Sequence, residues 1–141
     1  MNRITDKIDE IEKDVSELSE IMPFNFEQYN SEFKTKAACE RYFEKIIESV
    51  VDLAFLVIKE CRLKIPEEDK QAFDILNEED VISDSLKERL KDAKGMRNIL
   101  AHEYGKINDE MVFESLKEQL IPDIKEFINQ IKKFLRNLKW T

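Results

Sequence analysis

The chain has 141 residues, with 31 Asp and Glu against 23 Lys and Arg, one histidine, two glycines and three prolines. That length suits a single domain, residues 1–141, with its own core, and so few glycines and prolines leave little material for the turns of an all-β fold. A net charge of −8 argues against general affinity for nucleic acid, whose polyphosphate backbone rewards an excess of Lys and Arg.

Ile4, Ile8, Ile11, Val15 and Leu18 repeat at steps of three and four, one apolar stripe on a first helix. The same stretch is heavily charged, so it does not read as a signal peptide. The helix should end before Pro23, because a residue preceding proline is pushed out of the helical region. Residues 22–33, "MPFNFEQYNSEF", read as an aromatic-rich connection.

A long second helix is expected over residues 32–62. Phe43, Ile46, Ile47, Val50, Ala54, Val57, Ile58 and Cys61 line one face, and Val51, Leu53, Phe55 and Leu56 widen it, so this helix is central to its bundle. Its apolar run, residues 50–58, is interrupted by Asp52 and falls far short of the ~20 residues of a membrane span. The chain therefore reads as cytoplasmic, with no membrane partner. Asp52 has two readings. It is either partly exposed or locally bonded, or it pairs with a cation of the functional segment, Arg97, since an unpaired buried carboxylate is costly. Cys39 and Cys61 fall on this helix; 22 residues at a rise of ~1.5 Å separate them by ~33 Å, beyond disulfide reach.

Pro66 with acids behind it starts a short third helix, residues 67–77. Ser83 or Asp84 caps a fourth carrying Leu86, Leu90, Ala93, Met96 and Leu100, which runs on to end near Gly105. Asn108 or Asp109 caps a last helix reaching Trp140, and Pro122 should kink or divide it. The sum is an all-α antiparallel bundle of about five helices.

The lone histidine lies in "GMRNILAHEYGK", residues 95–106. Asn98 and His102 are one turn apart and share a face, whereas Arg97 and His102 are separated by ~140° around the axis. Arg offers a planar fork to phosphate oxygens, and His exchanges a proton near pH 7. Asn98 can orient either group, and Tyr104 offers a hydroxyl and a ring. No Cys/His cluster with metal-ligand spacing exists, so no metal or other cofactor is expected. Phosphoryl chemistry here would use the RNA 2′-OH as nucleophile, which needs an acid as well as a base. One histidine per chain falls short of that pair, and a symmetric dimer would supply two. Taken singly, each residue has an ordinary structural use. The histidine can cap or pack, Arg97 can pair with an acid, and Tyr104 can sit in the core or at its rim.

"RNILAHEY", Arg97 to Tyr104, resembles the R-x4-H-x-Y pattern of the HEPN superfamily in its HepT-like branch. "CERYFEKIIESVVDLAFLVIKE" looks like that branch's long second helix, and "DILNEEDVISDSLKERLKDAKGMRN" like its approach to the motif. The resemblance implies a HEPN-like homodimer that cleaves RNA without metal, its site formed where two motifs meet. Arg97 and His102 would be catalytic, with Asn98 in support; Asp52, on the pairing reading given above, would support Arg97 as well. It also implies a partner, a minimal nucleotidyltransferase antitoxin that neutralises the toxin by transferring AMP to Tyr104. In so acidic a chain, Lys91, Lys94 and Lys106 are the candidates for contact with RNA phosphate. An alternative within the same resemblance is a non-catalytic helical module that binds a nucleotidyltransferase and helps present its substrate. A purely structural dimerisation domain is the third reading.

Overall fold

The computed structural model describes residues 2–102 and 108–138, with the side chains of Asn2 and His102 left aside. Every regular element among them is helical: α1 (Asn2–Ile21), α2 (Phe26–Ser31), α3 (Phe33–Glu60), α4 (Asp69–Glu78), α5 (Asp84–His102), α6 (Asp109–Glu114), a π-helical segment (Ser115–Leu120) and α7 (Ile121–Leu138). None of these helices is long and apolar enough to cross a membrane.

The apolar stripe read on the first helix is buried throughout: Ile4, Ile8, Ile11, Val15 and Leu18 are at most 5% exposed. It lies against α3, and the polar contacts beside that seam fix the direction of the pair. Tyr42 donates to Glu17, Lys45 to Asp14 and Ser49 to Glu10, so α3 ascends as α1 descends. The same logic makes α4 and α5 antiparallel, since Lys91 meets Asp74 and Lys94 meets Asp69. Gln130 accepts from the Ser83 N–H while Asp123 accepts from Arg89, which sets α7 antiparallel to α5. The centre is held by α3, whose Phe43, Ile46, Val50, Leu53, Ala54 and Val57 are essentially sealed. Phe73 of α4 meets Phe127 of α7 edge to face at 6.3 Å.

Several boundaries differ from the sequence expectation. Residues 22–33 are not merely a connection, because they contain α2. Asn25 caps it by accepting from the Gln28 N–H at 2.9 Å, and its Tyr29 is buried against Phe113 and Phe26. The fourth helix starts where expected, Ser83 accepting from the Leu86 N–H at 3.2 Å. Its expected end near Gly105 lies outside the described residues, as does Trp140. The last helix is divided as Pro122 requires. A proline has no N–H to donate and its ring crowds the preceding turn, and the chain answers with six residues of π-helix directly before α7. Asn108 caps α6 through the Met111 N–H at 3.1 Å.

Cys39 and Cys61 are both free, the first buried and the second half-buried. Burial, helped by Glu40, pushes the Cys39 thiol up to about 11.

Candidate functional site

The functional candidates sit on α5, which is fastened to the bundle along its first half. Leu86 and Leu90 are 0% and 1% exposed. Arg89 binds Asp123 and Glu126 of α7, Lys91 donates to both oxygens of Asp74 at 2.9 and 3.1 Å, and Lys94 lies 3.2 Å from Asp69. At Gly95, α5 passes the tip of the Lys70 side chain of α4, whose Nζ would lie 3.3 Å from a Cβ placed there.

Beyond Gly95 the pattern changes. Arg97 is largely covered, its side chain 18% exposed, and its Nη2 donates to Glu48 of α3. Its Nε is buried and has no partner among the described residues. Asn98 and Ile99 face outward, Leu100 turns back into the core at 2% exposure, and His102 is the last described residue of the helix. Tyr104 and Lys106 lie outside the described residues.

Two expectations are corrected by this geometry. Asp52 does not reach Arg97: its side chain is 63% exposed and faces Lys7 of α1 at 3.7 Å. The reason is register. Glu48, one turn earlier on the same face of α3, is the carboxylate that stands level with Arg97. The signal was present in the sequence as an acid four residues before Asp52, but nothing in periodicity decides which turn of α3 meets which turn of α5. The second correction concerns the lysines. Lys94 is 8% exposed and cannot meet an RNA phosphate as placed. Lys91 is half-buried, and its hydrogen bond to Asp74 raises its pKa further. Both are occupied in holding α5 to α4.

Among the described residues, no three His, Cys, Asp or Glu side chains converge as a metal ion would require. A wide apolar groove of about 800 Å³ opens at the far end of α3, beside Phe55, Leu56, Leu63 and Ile65. It contains none of the motif residues. What the α5 end can do chemically therefore rests on a guanidinium held at a helix–helix seam, an exposed amide beside it, and the imidazole-bearing residue five positions on.

Residues 11–131 match the profile of the family described as Ribonuclease HepT-like. The chain is 27% identical over 105 residues to an mRNA nuclease, HepT, of Shewanella oneidensis, covering 74% of this chain and 78% of that protein. It is 30% identical over 93 residues to a protein of Archaeoglobus fulgidus provisionally named an RNase, covering 66% and 69%. The fold superposes on a solved structure of a tri-AMPylated Shewanella oneidensis HEPN toxin in complex with an MNT antitoxin. There the TM-score is 0.85 at 24% identity, over 92% of this chain and 96% of that one.

Proposed function

The chain belongs to the HepT-like ribonuclease family, and from that membership we propose that it is a metal-independent RNA endonuclease, the toxin of a toxin–antitoxin pair. The site forms where the α5 ends of two copies meet. Arg97 binds the scissile phosphate and stabilises the charge that gathers on its oxygens. The imidazole of His102 takes the proton of the ribose 2′-OH, whose oxygen then bonds to phosphorus as the bond to the 5′ oxygen breaks. That oxygen takes a proton from the imidazolium of the second copy, leaving a 2′,3′-cyclic phosphate and a 5′-OH. Asn98, exposed beside Arg97, holds a substrate oxygen.

A minimal nucleotidyltransferase is the antitoxin. It transfers AMP from ATP to the Tyr104 hydroxyl oxygen, with pyrophosphate leaving. An anion two residues from the histidine fills the cleft and repels RNA phosphate.

The observation that carries this reading is the setting of Arg97. It stands at the outer end of α5, apart from the ion pairs that bind Arg89 into the bundle, beside an exposed amide and five residues before the histidine.

The test is RNA cleavage by the purified protein in EDTA, beside His102→Ala at equal folded concentration. A loss of about 10²–10⁴-fold is expected; equal rates, or no cleavage by the wild type, would refute the nuclease reading. Intact mass after co-expression with the nucleotidyltransferase should rise by whole AMP units, and Tyr104→Phe should abolish the gain.

A further inference from the structure

Arginine reaches the end of α5 on a long side chain with many rotamers, and a freely rotating guanidinium is a poor clamp for a transition state. In this protein it is not free. Glu48 stands on the most deeply packed helix, between Ile46 and Ile47 on one side and Val50 on the other, all at most 1% exposed. Its backbone is fixed by that packing while its own carboxylate is 45% exposed. The carboxylate takes Nη2 of Arg97, and Nε is turned into the seam, with no acceptor among the described residues. A guanidinium is planar, so fixing Nη2 from one side and sinking Nε on the other determines where Nη1 points. Nη1 has no partner among the described residues, and the exposed Asn98 is next to it in the chain.

We infer that Glu48 is a positioning residue for the cleavage reaction: it holds the Arg97 guanidinium so that Nη1 is presented to the scissile phosphate. This rests on the reading of Arg97 as the phosphate-binding group. The arrangement has a cost, because the Glu48 carboxylate lies close to where the RNA phosphate must come. Removing it should therefore leave RNA binding unharmed while slowing the chemical step. The expected signature is a split between kcat and KM, not a uniform loss.

Glu48→Ala should lower kcat by about 10²-fold, the size expected when a transition-state contact is misplaced by ~1 Å, with KM unchanged or lower. Glu48→Gln, which still offers an oxygen to Nη2, should retain more of the rate, and its pH–rate profile should keep the wild-type shape. An unchanged or faster Glu48→Ala enzyme would overturn the inference, the faster one by making Glu48 a counter-ion that merely competes with RNA. Loss of the acidic limb in Glu48→Gln would overturn it too, by making Glu48 a proton carrier. A second readout does not depend on cleavage. The Arg97 Nε–H signal in ¹⁵N-resolved spectra should be a single, slowly exchanging resonance in the wild type, and should join the solvent-averaged arginines in Glu48→Ala. If it is averaged already in the wild type, Glu48 holds nothing. If the wild type cuts no RNA but the signal behaves as expected, the hold stands and the nuclease reading falls.

Discussion

The two ends of α5 are built to different rules. From Asp84 to Lys94 the helix buries Leu86 and Leu90 and commits Arg89, Lys91 and Lys94 to acids of α4 and α7. From Gly95 to His102 it buries Leu100, packs Met96 partly against the core and, among the described residues, pairs Arg97 with Glu48, while Asn98 and Ile99 face outward. The same residue types thus have opposite uses eight positions apart. Arg89 meets two carboxylates on α7, one of them nearly buried, and is part of the framework. Arg97 meets one half-exposed carboxylate and has donors to spare. A cation engaged by several buried acids is structural, and one held on a single side is available for a ligand.

The sharpest way to break this contrast is to delete one side chain from each end. Arg97→Ala should cost on the order of 10³-fold in RNA cleavage and only about 1 kcal/mol of stability, since the Arg97 side chain is largely covered but the Glu48 carboxylate it leaves behind is half-exposed and stays hydrated. Leu86→Ala should do the reverse. It removes a fully buried side chain at a cost of about 2–5 kcal/mol, read as a drop in the urea midpoint, with activity per folded molecule preserved. If Leu86→Ala spared stability, or Arg97→Ala unfolded the protein, the division of α5 would be wrong.

How much of this was legible in the sequence follows the same division. Apolar periodicity is a direct imprint of burial, so the stripes on α1, α3 and α5 could be read from the sequence. Pro122 announced the break that the π-helical segment makes, and Ser83 and Asn108 announced their caps. The short α2 was hidden because a six-residue helix has too few turns to show a period. The ends of α3 and α4, expected at 62 and 77, fall at Glu60 and Glu78, although the residues that turn the chain there carry no clear signal. The chain turns through Arg62 and Asp80 in the left-handed region, at φ 56° and 59°, where glycine would have been the readable signal. Partnerships between helices were the least legible of all. Asp52 and Glu48 are equivalent acids on one face of α3, and only the crossing of α3 with α5 gives Arg97 to Glu48. Lys91 and Lys94 look like surface cations in a string, yet the acids of α4 had already claimed them.

The framework end can be probed through pH. Asp123 is nearly buried, and burial raises its pKa above that of an exposed aspartate even though the Arg89 hydrogen bond pulls it down. Its native form therefore holds a proton more tightly than its unfolded form. Stability from this group is fully present below the unfolded pKa and is lost as pH rises through the native one. Arg89→Ala removes the pull of the guanidinium, so the native pKa rises further and the pH window of loss widens upward. The variant should be destabilised by about 1–3 kcal/mol at pH 7, the cost of a buried acceptor left without its donor. Its deficit relative to wild type should shrink as pH is lowered from 7 towards about 4, because the variant's native state takes up the proton at a higher pH than the wild type's. Thermal unfolding of both proteins across that range would show it. A deficit that stayed flat across that range would mean that the Arg89 guanidinium does not pull the Asp123 pKa down.

The smallest expected effect tests the lysines. If Lys91 and Lys94 were RNA contacts, each would release about 0.7 counterions on binding single-stranded RNA, and the slope of log affinity against log salt would flatten by that amount when one was removed. Their ion pairs argue otherwise. Lys94 would have to leave a site where it is 8% exposed and abandon Asp69, and Lys91 would have to give up two hydrogen bonds to Asp74, before either met a phosphate. Lys91→Met and Lys94→Met, each placed in a His102→Ala background so that the RNA survives the measurement, should leave the slope unchanged within ~0.2. Lys91→Met should also cost no more than about 1 kcal/mol of stability, its pair with Asp74 being partly exposed. A flattened slope for Lys91→Met would move the RNA path down towards the middle of α5 and erase the boundary at Gly95. An unchanged slope confines the protein's phosphate contacts to the outer end of the helix, where Arg97 stands.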